Sequence, residues 1–229
     1  MFDSVCIATG EDLSVPRGGT TRILSFISAL EGEGRTVYVV IPTPKKELPA
    51  ELDDSIVHTV PIKKRNTMDQ LVRGGLVARK AMKVAEKSNS ILQVEHSTLG
   101  GVVSSLGGSD YVLDMLDLGY LDHQYTSFPL SELLKRFIEY MELRGVNDSK
   151  HIIAISESMK QFLIDDWGIS ESRVSVISTG YVSEVHSSLD LKSLPKKDHS
   201  VVYLGTLYEK LDYEKILSIA DTVEDVDIQ

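Results

Sequence analysis

The sequence contains one cysteine, one tryptophan and no long apolar run. Cys6 has no second thiol in the chain to pair with, which fits a reducing compartment. The longest mildly apolar stretch, Leu99 to Leu116, carries Asp110, Asp114 and many glycines and serines, so it falls short of a membrane span. Asp3 stands where a secretory leader would place basic residues before an apolar segment. A cytoplasmic location is expected. Basic residues are also scarce, 24 against 34 acidic for a net charge of −10, and a dedicated nucleic-acid binder needs the opposite balance. The spacings H-x-x-x-H, H-E-x-x-H and G-x-S-x-G are missing, which disfavours zinc chemistry and serine hydrolysis.

What is present is a globular composition, 42% hydrophobic and 25% charged over 229 residues. At roughly 150 residues per domain, that length is about one and a half domains. Strand and helix signals alternate from the start, the pattern of a parallel sheet covered by helices on both faces. Val5 to Ala8 is an apolar run, Thr9 to Arg17 is polar and irregular, and Gly18-Gly19 opens a helix with Ile23, Phe26, Ile27 and Leu30 at helical spacing. Thr36 to Ile41 is β-branched and ends at Pro42, which completes one βαβ unit. Further strands are predicted around Ile56 to Ile62, Ile91 to Val94, Tyr111 to Leu116, His151 to Ile155 and Val174 to Ile177. Helices are predicted from Leu71, over Leu99 to Leu106, over Phe128 to Val146 as the longest, and over Glu157 to Trp167 with Ser156 as its cap. Leu133, Leu134, Phe137, Ile138 and Met141 form the expected apolar face of the longest helix.

After Tyr181 the composition turns polar, and residues 184–200 read as a connector. Val201 to Leu204 then starts a new strand, Leu211 to Val223 reads as a helix, and Val226-Asp227-Ile228 would start another strand. A unit of about 30 residues buries too little surface to fold unaided, so residues 201–229 are expected to be the beginning of a second domain that has been cut short.

Three features bear on chemistry. Gly18-Gly19 at a helix start presents free N–H groups and a positive dipole end to an anion such as phosphate, although two adjacent glycines also make an ordinary tight turn. The second strand ends in Ile41-Pro42 where a nicotinamide-binding unit carries an acidic ribose ligand, which argues against a dehydrogenase. Glu95-His96 ends one strand, with Asp114, Asp117 and His123 after the next, and such groups converge beyond the carboxyl ends of a parallel sheet. Carboxylates and imidazoles so placed can orient a hydroxyl or face a cationic transition state. Lastly, Ile62 to Lys87 holds eight basic and two acidic residues, so this segment is +6 and the remainder −16. The face carrying Arg73, Lys80, Lys83 and Lys87 is either solvated or suited to anionic lipid head groups.

His151 to Ser156, Glu157 to Lys160 and Val174 to Tyr181 together resemble the close of the N-terminal domain in family-4 retaining glycosyltransferases of the GT-B fold. In that family a strand ends in Ser-Glu, a helix follows, and a strand reaches an Asn/Thr-Gly turn before the domain crossover. Val201 to Leu207 with Lys210 resembles the first strand and phosphate loop of the family's C-terminal domain. The resemblance implies a Rossmann-like acceptor-side domain over residues 1–183, a connector over 184–200 and an incomplete donor-binding Rossmann-like unit over 201–229. It implies transfer of a sugar from a nucleotide-sugar to an acceptor hydroxyl with retention, with no metal or cofactor; separately, a lipid-linked acceptor would give the basic face of Arg73, Lys80, Lys83 and Lys87 a purpose.

By the same resemblance, Gly18, Gly19, Thr206 and Lys210 bind the donor phosphates and Asp117 contacts the transferred sugar. From their placement at strand ends and at the Ser-Glu step, His96, Asp114, His123 and Glu157 are expected to line the acceptor or sugar pocket. Thr206 stands where many members carry arginine, and the family's E-x7-E segment would fall beyond Gln229, so the chain alone is expected to be inactive or very weak. Two other readings stay open: a sugar- or lipid-binding module or subunit completed by a partner chain, and a nucleotide-sugar epimerase of the same shape.

Overall fold

The computed structural model describes residues 2–52, 54–61, 67–122, 131–179, 200–201 and 227–228. The chain divides into two compact units, Met1–Gly180 and Tyr181–Gln229. In the first, strands β1 (Ser4–Ala8), β2 (Thr36–Pro42), β3 (Ile56–Val60), β4 (Ile91–Glu95), β5 (Val112–Met115), β6 (His151–Ala154) and β7 (Val174–Val176) form one sheet. Its order is β3-β2-β1-β4-β5-β6-β7, and every pairing is parallel. This is the expected Rossmann-like α/β architecture. In the second unit the described residues form the parallel pair β8 (Ser200–Val201) and β9 (Asp227–Ile228). The expected helix over Leu211 to Val223 lies outside the described residues.

The central strand β1 is buried along its whole length, as a parallel strand covered on both faces must be. Its alternation feeds two cores. Val5 and Ile7 pack with Ile23 and Ile27 of α1 (Gly18–Gly32), whereas Cys6 and Ala8 pack with Val77, Ala78 and Ala81 of α2 (Thr67–Ser88) and Val103 of α3 (Ser97–Ser105). Burial in that core pushes the Cys6 thiol up to about 12, so it behaves as a small apolar residue. The remaining helices are α4 (Gly119–Asp122), α5 (Ser131–Asp148) and α6 (Glu157–Asp165). Ser156 caps α6 as its sequence suggested, accepting from the Met159 N–H at 3.2 Å.

Two expectations about helices change. Among the described residues α2 is the longest helix, 22 residues against 18 for α5, and it begins at Thr67, a turn before the apolar stripe does. The second change concerns which face of α5 is inside. Leu133 and Phe137 are exposed, while Met141, Glu142, Gly145 and Val146 are buried. The reason is a close glycine contact between α3 and α5. A Cβ on Gly145 would lie 2.6 Å from the Gly101 nitrogen, and one on Gly101 would overlap the Met141 carbonyl oxygen. Tyr111 supports the crossing from below, donating its hydroxyl hydrogen to the Gly145 carbonyl at 2.6 Å. Backbones that close admit no other rotation of α5, so the apolar spacing of Leu133 and Phe137 yields to the small residues.

Gly101→Ala is therefore expected to destabilise the chain by roughly 3 kcal/mol through overpacking. Gly75→Ala, in α2 with no atom within 4 Å of the added carbon, should stabilise it by about 0.5–1 kcal/mol. Urea unfolding of both variants checks the contrast, and equal effects would contradict the packing just described.

Candidate functional site

Strand order reverses between β1 and β4, the place in an open parallel sheet where a crevice forms beyond the carboxyl ends. The residues leaving those two strands define the site. The loop after β1 is folded by its own short polar side chains. Thr9 Oγ1 accepts from the Glu11 N–H at 3.0 Å, and Asp12 Oδ1 accepts from the Ser14 N–H at 3.1 Å and hydroxyl at 2.6 Å. This brings Glu11 to the crevice and leads into α1. Arg17 precedes the helix in extended conformation without a side-chain cap, and its guanidinium lies 3.7 Å from Glu11.

Among the described residues, no acceptor meets the N–H groups of Gly18, Gly19 and Thr20. A Cβ on Gly18 would meet open space, and one on Gly19 would lie 3.7 Å from Leu116, the neighbour of Asp117. The helix start is thus open, electropositive and on the rim that carries Asp117.

His96 leaves β4 with φ +72°, a left-handed conformation uncommon outside glycine. It is held there by its N–H on the Asp114 carbonyl at 3.0 Å and by its own carbonyl on the Gly100 N–H at 3.1 Å. The turn aims its ring between two acids, with Nε2 3.8 Å from Glu11 and Nδ1 3.8 Å from Asp117. Burial pulls the imidazole pKa down, but Asp117, by hydrogen bond and charge, with Glu11 and Asp114, raises it above the ordinary value. His96 is biased toward imidazolium. Asp117 is 58% exposed and Glu11 31%, so both acids face the crevice.

Directly behind lies a sealed layer. Asp114 has no solvent exposure, and its two oxygens accept from Arg22 Nε at 2.7 Å and Nη2 at 2.6 Å. The expectation that Asp114 lines an open pocket is thereby revised: it is a buried partner of Arg22. Glu95 is equally buried, and Gln93 donates to its Oε1 at 2.8 Å. Burial first, then the charge of Asp114, pushes its pKa well up. Among the described residues Glu95 Oε2 has no hydrogen-bond partner, and a neutral carboxyl here could donate toward Asp114.

The structure thus brings together His96, Asp117 and the Gly18-Gly19 turn, and it adds Glu11, which the sequence reading left inside a polar loop. Glu157 stands apart, exposed in the first turn of α6 beyond β6, with no side-chain hydrogen bond or ion pair among the described residues. His123, Thr206 and Lys210 lie outside the described residues. On α2, Lys80, Lys83 and Lys87 are exposed. Arg73 instead turns inward and donates to the Gly10 carbonyl at 3.2 Å, so it leaves that face.

Chemically, the arrangement offers an anion-ready helix start beside an imidazole of raised pKa and two solvent-exposed carboxyl side chains, a set suited to a phosphate and to several hydroxyls. Residues 16–184 match the family model described as Glycosyltransferase Family 4. Among solved structures, the chain is similar to sucrose-phosphate synthase from Thermosynechococcus elongatus, with TM-score 0.65 and 12% identity over 99% of this chain and 61% of that one. It is also similar to the apo form of a lipopolysaccharide outer core galactosyltransferase, with TM-score 0.58 and 15% identity over 98% of this chain and 59% of that one. A ugt transferase from Siraitia grosvenorii, solved in complex with UDP, gives TM-score 0.52 and 12% identity over 95% of this chain and 62% of that one. The chain therefore spans less than two thirds of each, and at these identities the likeness shows the GT-B fold. No curated protein sequence matches the chain.

The sealed layer generates a pH prediction. Because the Glu95 pKa is raised on folding, the folded chain holds a proton that the unfolded chain releases, and stability falls as pH rises from the ordinary carboxylate range through the raised value. Glu95→Gln keeps an acceptor for Gln93 and a donor for Asp114 and cannot ionise. Its Tm at pH 8 should exceed the native value by roughly 2–4 °C, about 1 kcal/mol, with little difference at pH 4. Parallel melting curves across that range would show that residue 95 carries no buried proton.

Proposed function

The chain belongs to glycosyltransferase family 4, and on that premise we propose that it is the N-terminal, acceptor-side part of an enzyme that transfers a hexose from a nucleotide-sugar to an acceptor hydroxyl with retention at the anomeric carbon. The observation that carries this reading is the coincidence, at the β1/β4 reversal, of the open Gly18-Gly19 helix start with His96 and Asp117.

In the proposed site the N–H groups of Gly18 and Gly19 approach the donor diphosphate, where negative charge grows as the bond to the anomeric carbon breaks. Asp117 faces the transferred sugar, whose anomeric carbon becomes electron-poor in the same step, so an ionised carboxylate there is stabilising. His96 donates to sugar hydroxyls and Glu11 accepts from them. Thr206 and Lys210, outside the described residues, are proposed as further donor-phosphate ligands and His123, likewise outside them, as a sugar ligand. Glu157 keeps a place in this reading only if substrate extends past β6, given its position in α6.

The same reading divides the chain into an acceptor-side domain over 1–183, a connector over 184–200 and donor-binding residues over 201–229. The separation of Met1–Gly180 from Tyr181–Gln229 supports it, as does a family match that reaches residue 184. On this reading the chain alone is inactive or very weak.

The protein works in the cytoplasm, at an anionic membrane surface. No helix among the described residues is long and apolar enough to cross a membrane. The contact instead uses one stripe of α2, where Lys80, Lys83 and Lys87 follow the 41% exposed Leu76 at i+4, i+7 and i+11. An acceptor carried on a lipid would then reach the crevice from that surface.

Asp117→Ala in a full-length enzyme should lower transfer by about a hundredfold or more while shifting stability by less than about 0.5 kcal/mol, since the side chain is largely exposed. Native turnover by that variant would take Asp117 out of the site. Reversing the charge of Lys80, Lys83 and Lys87 together should weaken sedimentation with anionic vesicles at least about tenfold, each lysine contributing about 1 kcal/mol near such a surface. Unchanged sedimentation would leave the stripe as a solvated face.

A further inference from the structure

Glu142 has no solvent exposure, and it belongs to α5, an element that carries none of the crevice residues. Yet its carboxylate touches both turns from which the crevice is built. Oε1 accepts from the Ser97 hydroxyl at 2.6 Å and from the Gly119 N–H at 2.8 Å, while Oε2 accepts from the Tyr120 N–H at 3.2 Å. Ser97 follows His96 directly, and Gly119 stands two residues beyond Asp117. There is little slack in the arrangement: a Cβ on Gly119 would sit 3.0 Å from Oε1. The acid reaches this place because the glycine contact of α3 with α5 brings the two backbones together.

Holding three donors makes these charge-assisted bonds, stronger than neutral ones and directional. Burial raises the Glu142 pKa, and the bonds from Ser97, Tyr120 and Gly119 oppose that rise. Both strand tips therefore answer to one buried group.

We infer that Glu142 is a positioning residue, a single buried carboxylate that sets the spacing of His96 and Asp117 by holding Ser97 and the Gly119-Tyr120 turn together. The spacing in question is the 3.8 Å between His96 Nδ1 and Asp117 Oδ1. The groups facing the imidazole are Asp117, Glu11 from the loop after β1, and Asp114 from behind, with Asp117 the largest upward influence. The inference rests on the proposed transferase reading only for its consequence in catalysis, because the bonds exist in the unliganded chain.

The test is an NMR titration of His96 in the 229-residue chain, with no sugar or nucleotide present. Glu142→Gln preserves size but turns an amide N–H toward at least one of the three donors. It should lower the His96 pKa toward the ordinary 6.5, by about as much as Asp117→Asn does, and the double variant should fall no further. A simple cap of α4 would not move this titration, so a folded Glu142→Gln chain with native His96 behaviour overturns the inference. If that variant does not fold, Ser97→Ala decides: it cuts the link on the His96 side alone, a downward shift is expected, and an unmoved His96 again overturns it. An active full-length Asp117→Ala enzyme would remove the transferase role of Asp117 and leave this result standing, whereas an unmoved His96 removes the positioning role and leaves transfer untouched.

Discussion

The pair between Arg22 and Asp114 fixes the frame on which the crevice is built. Arg22 stands one turn into α1, just past the Gly18-Gly19 start, and its guanidinium meets both oxygens of an acid at the end of β5. Its third nitrogen, Nη1, donates to the Ile177 carbonyl just after β7 at 2.6 Å, and the Phe26 ring lies 4.9 Å from its central carbon. One side chain thus ties the helix start to two strands lying beyond the β1/β4 reversal. A buried ion pair of this kind adds little net stability over a well-packed apolar pair, but losing either member leaves an uncompensated charge, a defect of about 3–5 kcal/mol. Its value is geometric: α1 cannot slide or roll over the sheet without breaking a bidentate contact.

From that frame follows a division between a closed electrostatic layer and an open one. In the closed layer burial first, then the charge of Asp114, pushes the Glu95 pKa up, since Asp114 already has the guanidinium and a second buried anion is disfavoured. In the open layer His96 does the reverse, keeping positive character because two solvent-facing acids flank it. Adjacent residues on one strand end, Glu95 and His96, therefore sit away from their usual protonation balance for opposite reasons. The left-handed turn at His96 is what separates them, directing one side chain back into the sheet and the other out over its edge. Backbone strain at that position is offset by the Asp114 and Gly100 hydrogen bonds, and it separates a fully buried carboxyl from a partly exposed imidazole.

How far the sequence revealed this depends on whether a residue obeys the periodicity of its own element. The sheet, its helices and the Ser156 cap were legible because apolar spacing and local capping are nearest-neighbour properties. The strand-tip positions of His96 and Asp117 were legible for a similar reason, since they immediately follow apolar runs. Arg22, Glu142 and Glu11 were not. A charged residue inside an amphipathic helix reads by default as solvent-facing, and nothing near Arg22 or Glu142 in the chain announces partners 92 and 45 residues away. The orientation of α5 went astray on the same ground, because Leu133 and Phe137 outweigh Gly145 in any hydrophobic pattern while Gly145 decides the packing. The glycines at 100, 101 and 145 were a usable signal, small residues at a helix crossing, though only once the two helices are known to cross.

There remains the tension between an acidic chain and the anionic donor proposed for it. At a net charge of −10 the mean field around the protein opposes approach of a diphosphate. Screening limits that field to about 8 Å at physiological ionic strength, so what a ligand meets on arrival is set by groups within a few ångströms. At the rim those groups are the N–H donors of Gly18, Gly19 and Thr20, which meet no acceptor among the described residues, with Arg17 alongside and Glu11 already engaged by Arg17 and His96. Backbone donors keep their strength regardless of net charge, and they add no long side chain that must be ordered on binding. In the proposed reading the lysines of α2, on a different element from the crevice, act on another scale, with a broad anionic sheet rather than a single diphosphate as the counterpart. Such a partition would let one acidic domain hold a small anion by dipoles and a large anionic surface by formal charge, without the two competing for the same residues.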